Sequence, residues 1–128
     1  QDENDKLTEI LNDFVFSEQS QKLVICNQIT FTEIFYIHCR KNGFNKATKL
    51  IDDIRPMFEV LKIDSLNLVA GKLKCKYPIA LSDCFSIASG IVEKAPVLFI
   101  NESELTKTIQ RQIEKEYNIN LVIIEIEE

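Results

Sequence analysis

The stretch that decides the fold covers residues 79–105 and reads IALSDCFSIASGIVEKAPVLFINESEL. Apolar residues recur in its first half at helical spacing, which predicts an amphipathic helix over Ser82–Glu93 with Ser82 as its N-cap. Pro96 ends that helix, because the residue before a proline avoids the helical region. Val97–Ile100 is wholly apolar, as in a strand that is covered on both faces. The stretch therefore predicts a helix followed by a buried strand.

The rest of the chain repeats this alternation of helix and strand. Apolar runs predict three further strands, at Leu23–Cys26, Phe58–Ile63 and Leu121–Ile124. Helical spacing predicts five further helices, over residues 4–16, 30–41, from 45 to the proline at 56, 64–73 and 102–117. Such alternation is typical of a parallel α/β sheet with helices on both faces.

Length and composition indicate one globular domain. The chain has 128 residues, of which 45% are hydrophobic and 27% charged, as is usual for a soluble protein. No apolar run approaches the roughly 20 residues of a membrane span, and no signal-peptide pattern is present, so we expect no membrane partner. The net charge of -5 argues against a broadly basic nucleic-acid binder. With only three glycines, the chain has neither a dinucleotide-binding nor a Walker A motif.

The cysteines and the histidine do not form a zinc-binding pattern. The four cysteines contain no C-x-x-C pair, and His38 is the single histidine. Cys26 lies in an apolar strand and Cys84 at a helix start. We therefore expect buried, reduced thiols and a cytoplasmic location.

Acidic residues stand at the starts of three predicted helices. Glu33 follows the first strand, Asp83 opens the helix quoted above, and Glu102 and Glu104 follow the strand Val97–Ile100. In a parallel sheet, strand ends and the helix starts after them gather at one edge. Carboxylates crowded together repel each other unless a cation neutralises them, and oxygen ligands suit Mg²⁺ or Mn²⁺. The pattern thus indicates a candidate metal site.

Each of these acids also has a purely structural explanation. Thr30 and Glu33 have the spacing of a capping box, and Asn101 and Glu104 could cap the following helix in the same way. Asp83 in a first turn interacts favourably with the helix dipole. The lysines and arginines at 40, 41, 46, 49, 72, 74 and 76 fit a solvated face, or the rim of an RNA groove.

Two segments carry a resemblance to a known family. Residues 80–105 resemble the second half of a PIN domain, and residues 24–43 resemble its earlier strand and glutamate-bearing helix. The resemblance extends from about Leu7 onward and is greatest to VapC-type toxins. It implies a single α/β domain over residues 1–128, with three α/β/α layers and a central, mainly parallel sheet.

The resemblance also implies an activity and partners. PIN toxins are metal-dependent endoribonucleases, usually homodimers, that are inhibited by a small antitoxin protein. Position by position, Glu33, Asp83 and Glu102 match the family's catalytic and metal-binding acids, with Glu102 replacing an aspartate, and Glu104 matches an additional metal ligand. The implied cofactor is Mg²⁺ or Mn²⁺, and the implied substrate is RNA.

The sequence departs from the family at its beginning. The family opens with a central strand that ends in a metal-binding aspartate, and no such strand is visible before Glu33, so we expect an N-terminally incomplete domain. The resemblance and the residues together leave three functions open. The first is a metal-dependent ribonuclease, the second a catalytically degenerate PIN-like interaction module, and the third a receiver-like phosphoacceptor domain.

Overall fold

A computed structural model describes residues 24–100, 102 and 104–125. The strands in these residues are β1 (Val24–Asn27), β2 (Phe58–Leu61), β3 (Val97–Ile100) and β4 (Leu121–Ile124). The α-helices are α1 (Gln28–Asn42), α2 (Phe44–Ile54), α3 (Asn67–Lys76), α4 (Leu81–Glu93) and α5 (Lys107–Tyr117). The predicted mixed α/β class is confirmed, whereas the helix predicted over residues 4–16 lies outside the described residues. Across the described ranges, no helix has both the length and the apolarity needed to cross a bilayer.

The four strands pair as two separate parallel sheets. β1 pairs with β2, with Val24 opposite Phe58, and β3 pairs with β4, with Val97 opposite Leu121. The parallel pairing agrees with the sequence prediction. No hydrogen-bonded ladder joins the two pairs within the described part of the chain, so a single central sheet is not observed there.

Helix α4 packs against both β1 and β3, and also against α1 and α3. Its Cys84, Ile87 and Ala88 are fully buried in the larger of two apolar clusters. The other fully buried large apolar side chains of this cluster come from α3, α5 and the connecting segments, and are Leu66, Leu73, Ile79 and Ile113. The smaller cluster contains Cys26, Phe31 and Ile54. Because α4 joins both sheets, its position determines how the strand ends are arranged around it.

Helix α1 begins earlier than the sequence pattern predicts. Its N-cap is Asn27, whose Oδ1 accepts hydrogen bonds from the backbone N–H groups of Ile29 (2.9 Å) and Thr30 (3.2 Å). The predicted capping box of Thr30 and Glu33 is therefore wrong. Asparagine caps helices as well as serine does and better than threonine does, and here it is the last residue of β1. Glu33 consequently lies in the second turn of α1 rather than at a cap.

Three other predicted helix starts also move. α4 begins at Leu81, so Ser82 lies inside its first turn, and the N-cap Ala80 makes no side-chain hydrogen bond. α3 begins at Asn67 rather than at 64 or 65, because the preceding residues form a 3₁₀ turn. α5 begins at Lys107, where the Thr106 side chain accepts from the backbone of Ile109. A hydroxyl three residues before a free N–H fixes that start, and residues 102 and 104 therefore precede the helix.

The thiols differ strongly in their environment. All four cysteines are free; Cys26 and Cys84 are buried as predicted, whereas Cys39 is half-buried and Cys75 is exposed. Burial raises the pKa of Cys26 to about 11, with Arg55 opposing the shift, and burial also raises the pKa of Cys84. The thiolate is the reactive species, so a raised pKa together with burial makes a thiol unreactive.

We therefore expect iodoacetamide at pH 8 to modify Cys75 rapidly in the native protein and to modify Cys26 and Cys84 only after unfolding. Mass spectrometry of peptides from native and guanidinium-treated protein measures this directly. The Cys75→Ser variant should lose the rapid reaction. Rapid native labelling of Cys26 would contradict the burial described above.

Candidate metal centre

Three carboxylates meet beside the N-terminal end of α4. Asp83 comes from the first turn of α4, and Glu102 and Glu104 come from the segment that follows β3. One carboxylate oxygen from each of the three lies within 4.8 Å of the others. Oxygen ligands bind Mg²⁺ at about 2.0–2.1 Å and Ca²⁺ at 2.3–2.6 Å, so oxygens at this mutual distance fit around one divalent ion.

Asp83 is the buried member of the group. Asp83 is only 5% exposed, and its Oδ2 atom has no hydrogen-bond partner among the described residues. A buried polar atom without a partner is costly, and an unpaired buried charge costs considerably more. Either a proton or a cation must therefore satisfy this carboxylate.

The electrostatics of Asp83 agree with its geometry. Its pKa is raised from 3.8 to about 8, chiefly by burial, then by a hydrogen bond with Glu102, and then by the negative charges of Glu102, Glu33 and Glu104. At neutral pH the carboxyl group of Asp83 therefore retains its proton when no cation is bound. A divalent ion binding here would release that proton, because carboxylate ligands must be deprotonated.

The two glutamates after β3 are held in different ways. Glu102 is half-buried, and its Oε1 accepts a hydrogen bond of 3.0 Å from the backbone N–H of Glu104. Glu104 itself is exposed. Since α5 begins only at Lys107, the N3 capping position that the sequence suggests for Glu104 is wrong. Both carboxylates precede the helix and are available to the site.

Glu33 approaches the same site from α1. Its negative charge raises the pKa of Asp83, although Glu33 does not belong to the compact group of three. All four residues that the sequence singled out, Glu33, Asp83, Glu102 and Glu104, therefore act on one region. Asp83, Glu102 and Glu104 are in mutual contact range, and Glu33 adds charge from outside the group.

Several of the basic residues are engaged in local contacts. Lys49 pairs with Asp53 at 3.0 Å and Lys76 with Glu116 at 2.8 Å, both on exposed surfaces. Lys74 donates to the carbonyl oxygen of Ile79 at 2.7 Å. The high exposure of Lys49 and Lys76 agrees with a solvated face for these two lysines. Exposed ion pairs of this kind contribute little to stability.

The sequence patterns do not predict two buried polar residues, one in β1 and one in α4. Asn27 and Ser89 are 1% and 6% exposed, and Asn27 Nδ2 donates to Ser89 Oγ at 3.1 Å. An asparagine directly between an apolar run and a helical pattern is an N-cap signal, so the role of Asn27 at α1 was recognisable. The pairing with Ser89 joins residues 62 positions apart and has no local signature.

Comparison of the chain with protein-family models, curated proteins and solved structures finds no match.

Proposed function

We propose that this protein is a Mg²⁺- or Mn²⁺-dependent endoribonuclease of the PIN toxin type. The observation that carries the proposal is the buried Asp83 carboxylate, whose unpartnered Oδ2 lies beside two further acids, Glu102 and Glu104. Among the described residues, the charged groups that shift its pKa are Glu102, Glu33 and Glu104, all of them acidic, so an ion pair does not explain its burial. A carboxylate held in this way is suited to a cation.

In this proposal Asp83, Glu102 and Glu104 hold the cation, and Glu33 increases the negative potential that attracts it. A bound divalent ion supplies Lewis-acid activation of a water molecule and stabilises charge on a phosphodiester. Burial of Asp83 excludes water from one side of the carboxylate, which strengthens its interaction with a cation. Release of the Asp83 proton accompanies loading of the site.

The finer parts of the proposal come from the PIN resemblance. They are a three-layer α/β/α arrangement, a homodimer, RNA as substrate, a small antitoxin as inhibitor and a cytoplasmic location. One observation supports the homodimer. Apolar side chains of α1 and α2 are exposed to solvent, with Tyr36 at 42%, Ile37 at 44% and Phe44 at 66%. A second copy that covers these side chains would remove them from water.

An RNA-cleavage assay tests the proposal. The protein should cleave single-stranded RNA in the presence of Mg²⁺ or Mn²⁺, cleavage should stop in EDTA, and added metal should restore it. The Asp83→Asn variant should lose most of the activity, about 100-fold or more, because metal-binding side chains act together. Asp53→Asn, which alters an exposed carboxylate paired with Lys49, is the matched control and should cleave normally. Equal cleavage by Asp83→Asn and the unaltered protein would defeat the assignment.

A second candidate is a PIN-like protein-interaction module without catalysis. It is favoured by the exposed apolar side chains of different helices, including Leu68 at 72% and Phe44 at 66%. Calorimetric titration with Mn²⁺ separates the two candidates. Heat that fits one site and is absent in Asp83→Asn supports the nuclease, and no binding by the unaltered protein supports the module.

A further inference from the structure

One continuous set of buried hydrogen bonds connects β1, α1 and α4. Asn27 Oδ1 caps α1 by accepting from Ile29 and Thr30, while its Nδ2 donates to Ser89 Oγ on α4. The Ser89 hydroxyl in turn donates to the carbonyl oxygen of Phe85 at 2.8 Å. Both side chains lie in the interior, where low polarity makes hydrogen bonds stronger and unpaired groups costly.

Capping alone does not require an amide at position 27. Serine accepts from free helix N–H groups about as well as asparagine does. The additional property of asparagine is its Nδ2 donor, and here that donor reaches Ser89. The amide therefore has two separate roles, one within α1 and one between α1 and α4.

The hydrogen bond between Asn27 and Ser89, called the link below, lies the same number of residues from two of the candidate acids. Glu33 follows Asn27 by six residues along α1, and Asp83 precedes Ser89 by six residues along α4. At a rise of 1.5 Å per residue, the backbone of each acid is about 9 Å along the helix axis from the link. Because helices are stiff over such a length, a displacement at the link is passed on to both carboxylates.

The next residue of α4 sets the position of the third acid-bearing segment. A Cβ atom at Gly90 would overlap Val97 Cγ2 and lie 2.9 Å from the Ala95 carbonyl oxygen, so β3 can approach α4 this closely only because this residue is glycine. β3 leads directly to Glu102. Positions 89 and 90 therefore align α4 with α1 on one side and with β3 on the other.

We infer that Asn27 and Ser89 are positioning residues of the metal centre, and that their hydrogen bond fixes the helix of Glu33 relative to the helix of Asp83. The inference rests on the proposed function, because it concerns the site where the cation is held. Neither residue contacts the cation in this arrangement. Groups that hydrogen-bond directly to metal ligands commonly contribute 10- to 100-fold to metal affinity. Asn27 and Ser89 act one step further away, through the helices that carry Glu33 and Asp83, so we expect an effect at the lower end of that range.

Calorimetric titration of the full chain with Mn²⁺ at pH 7.5 tests this, together with thermal melts of each metal-free protein. Asn27→Ser keeps the capping oxygen but is too short to reach Ser89, and Ser89→Ala removes the other partner. We expect each variant to bind Mn²⁺ about tenfold more weakly. The double variant should bind Mn²⁺ with about the affinity of the weaker-binding single variant, because both changes break one shared link.

Tyr77→Phe is the matched control. It also removes one long-range side-chain hydrogen bond, from the Tyr77 hydroxyl to Glu116 Oε2 at 2.6 Å, but it leaves the link intact. We expect it to lower the melting temperature and to leave the Mn²⁺ affinity unchanged. This comparison separates a specific effect on the site from a general loss of stability.

The outcomes distinguish the inference from the proposed function. Mn²⁺ affinity that falls in Asn27→Ser and Ser89→Ala but not in Tyr77→Phe supports the positioning role. If Asn27→Ser and Ser89→Ala bind Mn²⁺ within twofold of the unaltered protein, the positioning role is wrong and the proposed function still stands. An equal loss of affinity in all three variants has the same meaning. If the unaltered protein binds no Mn²⁺, the proposed function and this inference are both wrong.

Discussion

Without divalent metal at pH 8, the Asp83→Asn variant is expected to melt at a higher temperature than the unaltered protein, although the same change removes the proposed activity. The pKa of Asp83 is about 8 in the folded protein and 3.8 in its ordinary state. The folded state therefore holds this proton more tightly than the unfolded state does. Asparagine is neutral at every pH, so the variant loses no stability through ionisation at position 83.

The sign of the pH dependence follows from this raised pKa. The contribution of Asp83 to stability is fully present below about pH 4, where both states are protonated. It is lost as the pH rises toward 8, because the unfolded state ionises first, at about 1.4 kcal/mol per pH unit. The stability of the metal-free protein should thus fall by several kcal/mol relative to Asp83→Asn between pH 4 and pH 8.

Thermal melts in EDTA from pH 4 to pH 8 measure this difference. At pH 8 we expect Asp83→Asn to melt at least about 4 °C higher, since 1 kcal/mol corresponds to roughly that shift in a chain of this size. Asp53→Asn is the control, because its carboxylate is exposed and paired with Lys49. Its curve should follow that of the unaltered protein. A lower melting temperature for Asp83→Asn at pH 8 would show that Asp83 is not a destabilised buried acid.

Metal should narrow this difference in melting temperature. A ligand that binds only the folded state at 100 times its Kd stabilises it by about 2.7 kcal/mol. We expect Mn²⁺ at this concentration to raise the melting temperature of the unaltered protein and to leave that of Asp83→Asn unchanged. An equal shift in both proteins would place the metal elsewhere.

The second large effect is expected at Gly90, where alanine should destabilise the protein and weaken the metal centre together. A methyl group there would meet both the Val97 side chain and the Ala95 carbonyl oxygen, and the backbone oxygen cannot rotate away. Overpacking of this kind costs about 1–3 kcal/mol or more. This cost exceeds the stabilisation of up to about 1 kcal/mol that replacing glycine with alanine brings in a helix interior.

Gly71→Ala provides the opposite case within the same protein. Gly71 lies in α3 and is exposed, and a methyl group added there would meet no atom within 4 Å. Alanine at this position should therefore stabilise the protein by roughly 0.5–1 kcal/mol. Urea unfolding of both variants should give shifts of opposite sign, and shifts of the same sign would contradict the close packing of α4 on β3. Gly90→Ala should also bind Mn²⁺ more weakly, because β3 leads into Glu102, whereas Gly71→Ala should bind it normally.

Local patterns were sufficient to predict most of the elements. The apolar run Val97–Ile100 forms the predicted strand, and the helical spacing before it forms α4 within one residue of its predicted start. Helix starts were less predictable, because several residues near a start can supply a capping oxygen. The spacing of Thr30 and Glu33 predicts a cap at Thr30, but Asn27 caps α1, and the helix predicted from 102 begins only after Thr106.

The sequence alone determined that strands and helices alternate, that the strands pair in parallel, and which acids are candidates for a metal site, because period and side-chain chemistry are local properties. Only the tertiary structure decided that Asp83 is buried and that Glu102 and Glu104 reach it from a different element. It alone also showed the bond between Asn27 and Ser89. Burial and charge interactions depend on which distant segments pack together, and that information does not reside in any single stretch of the chain.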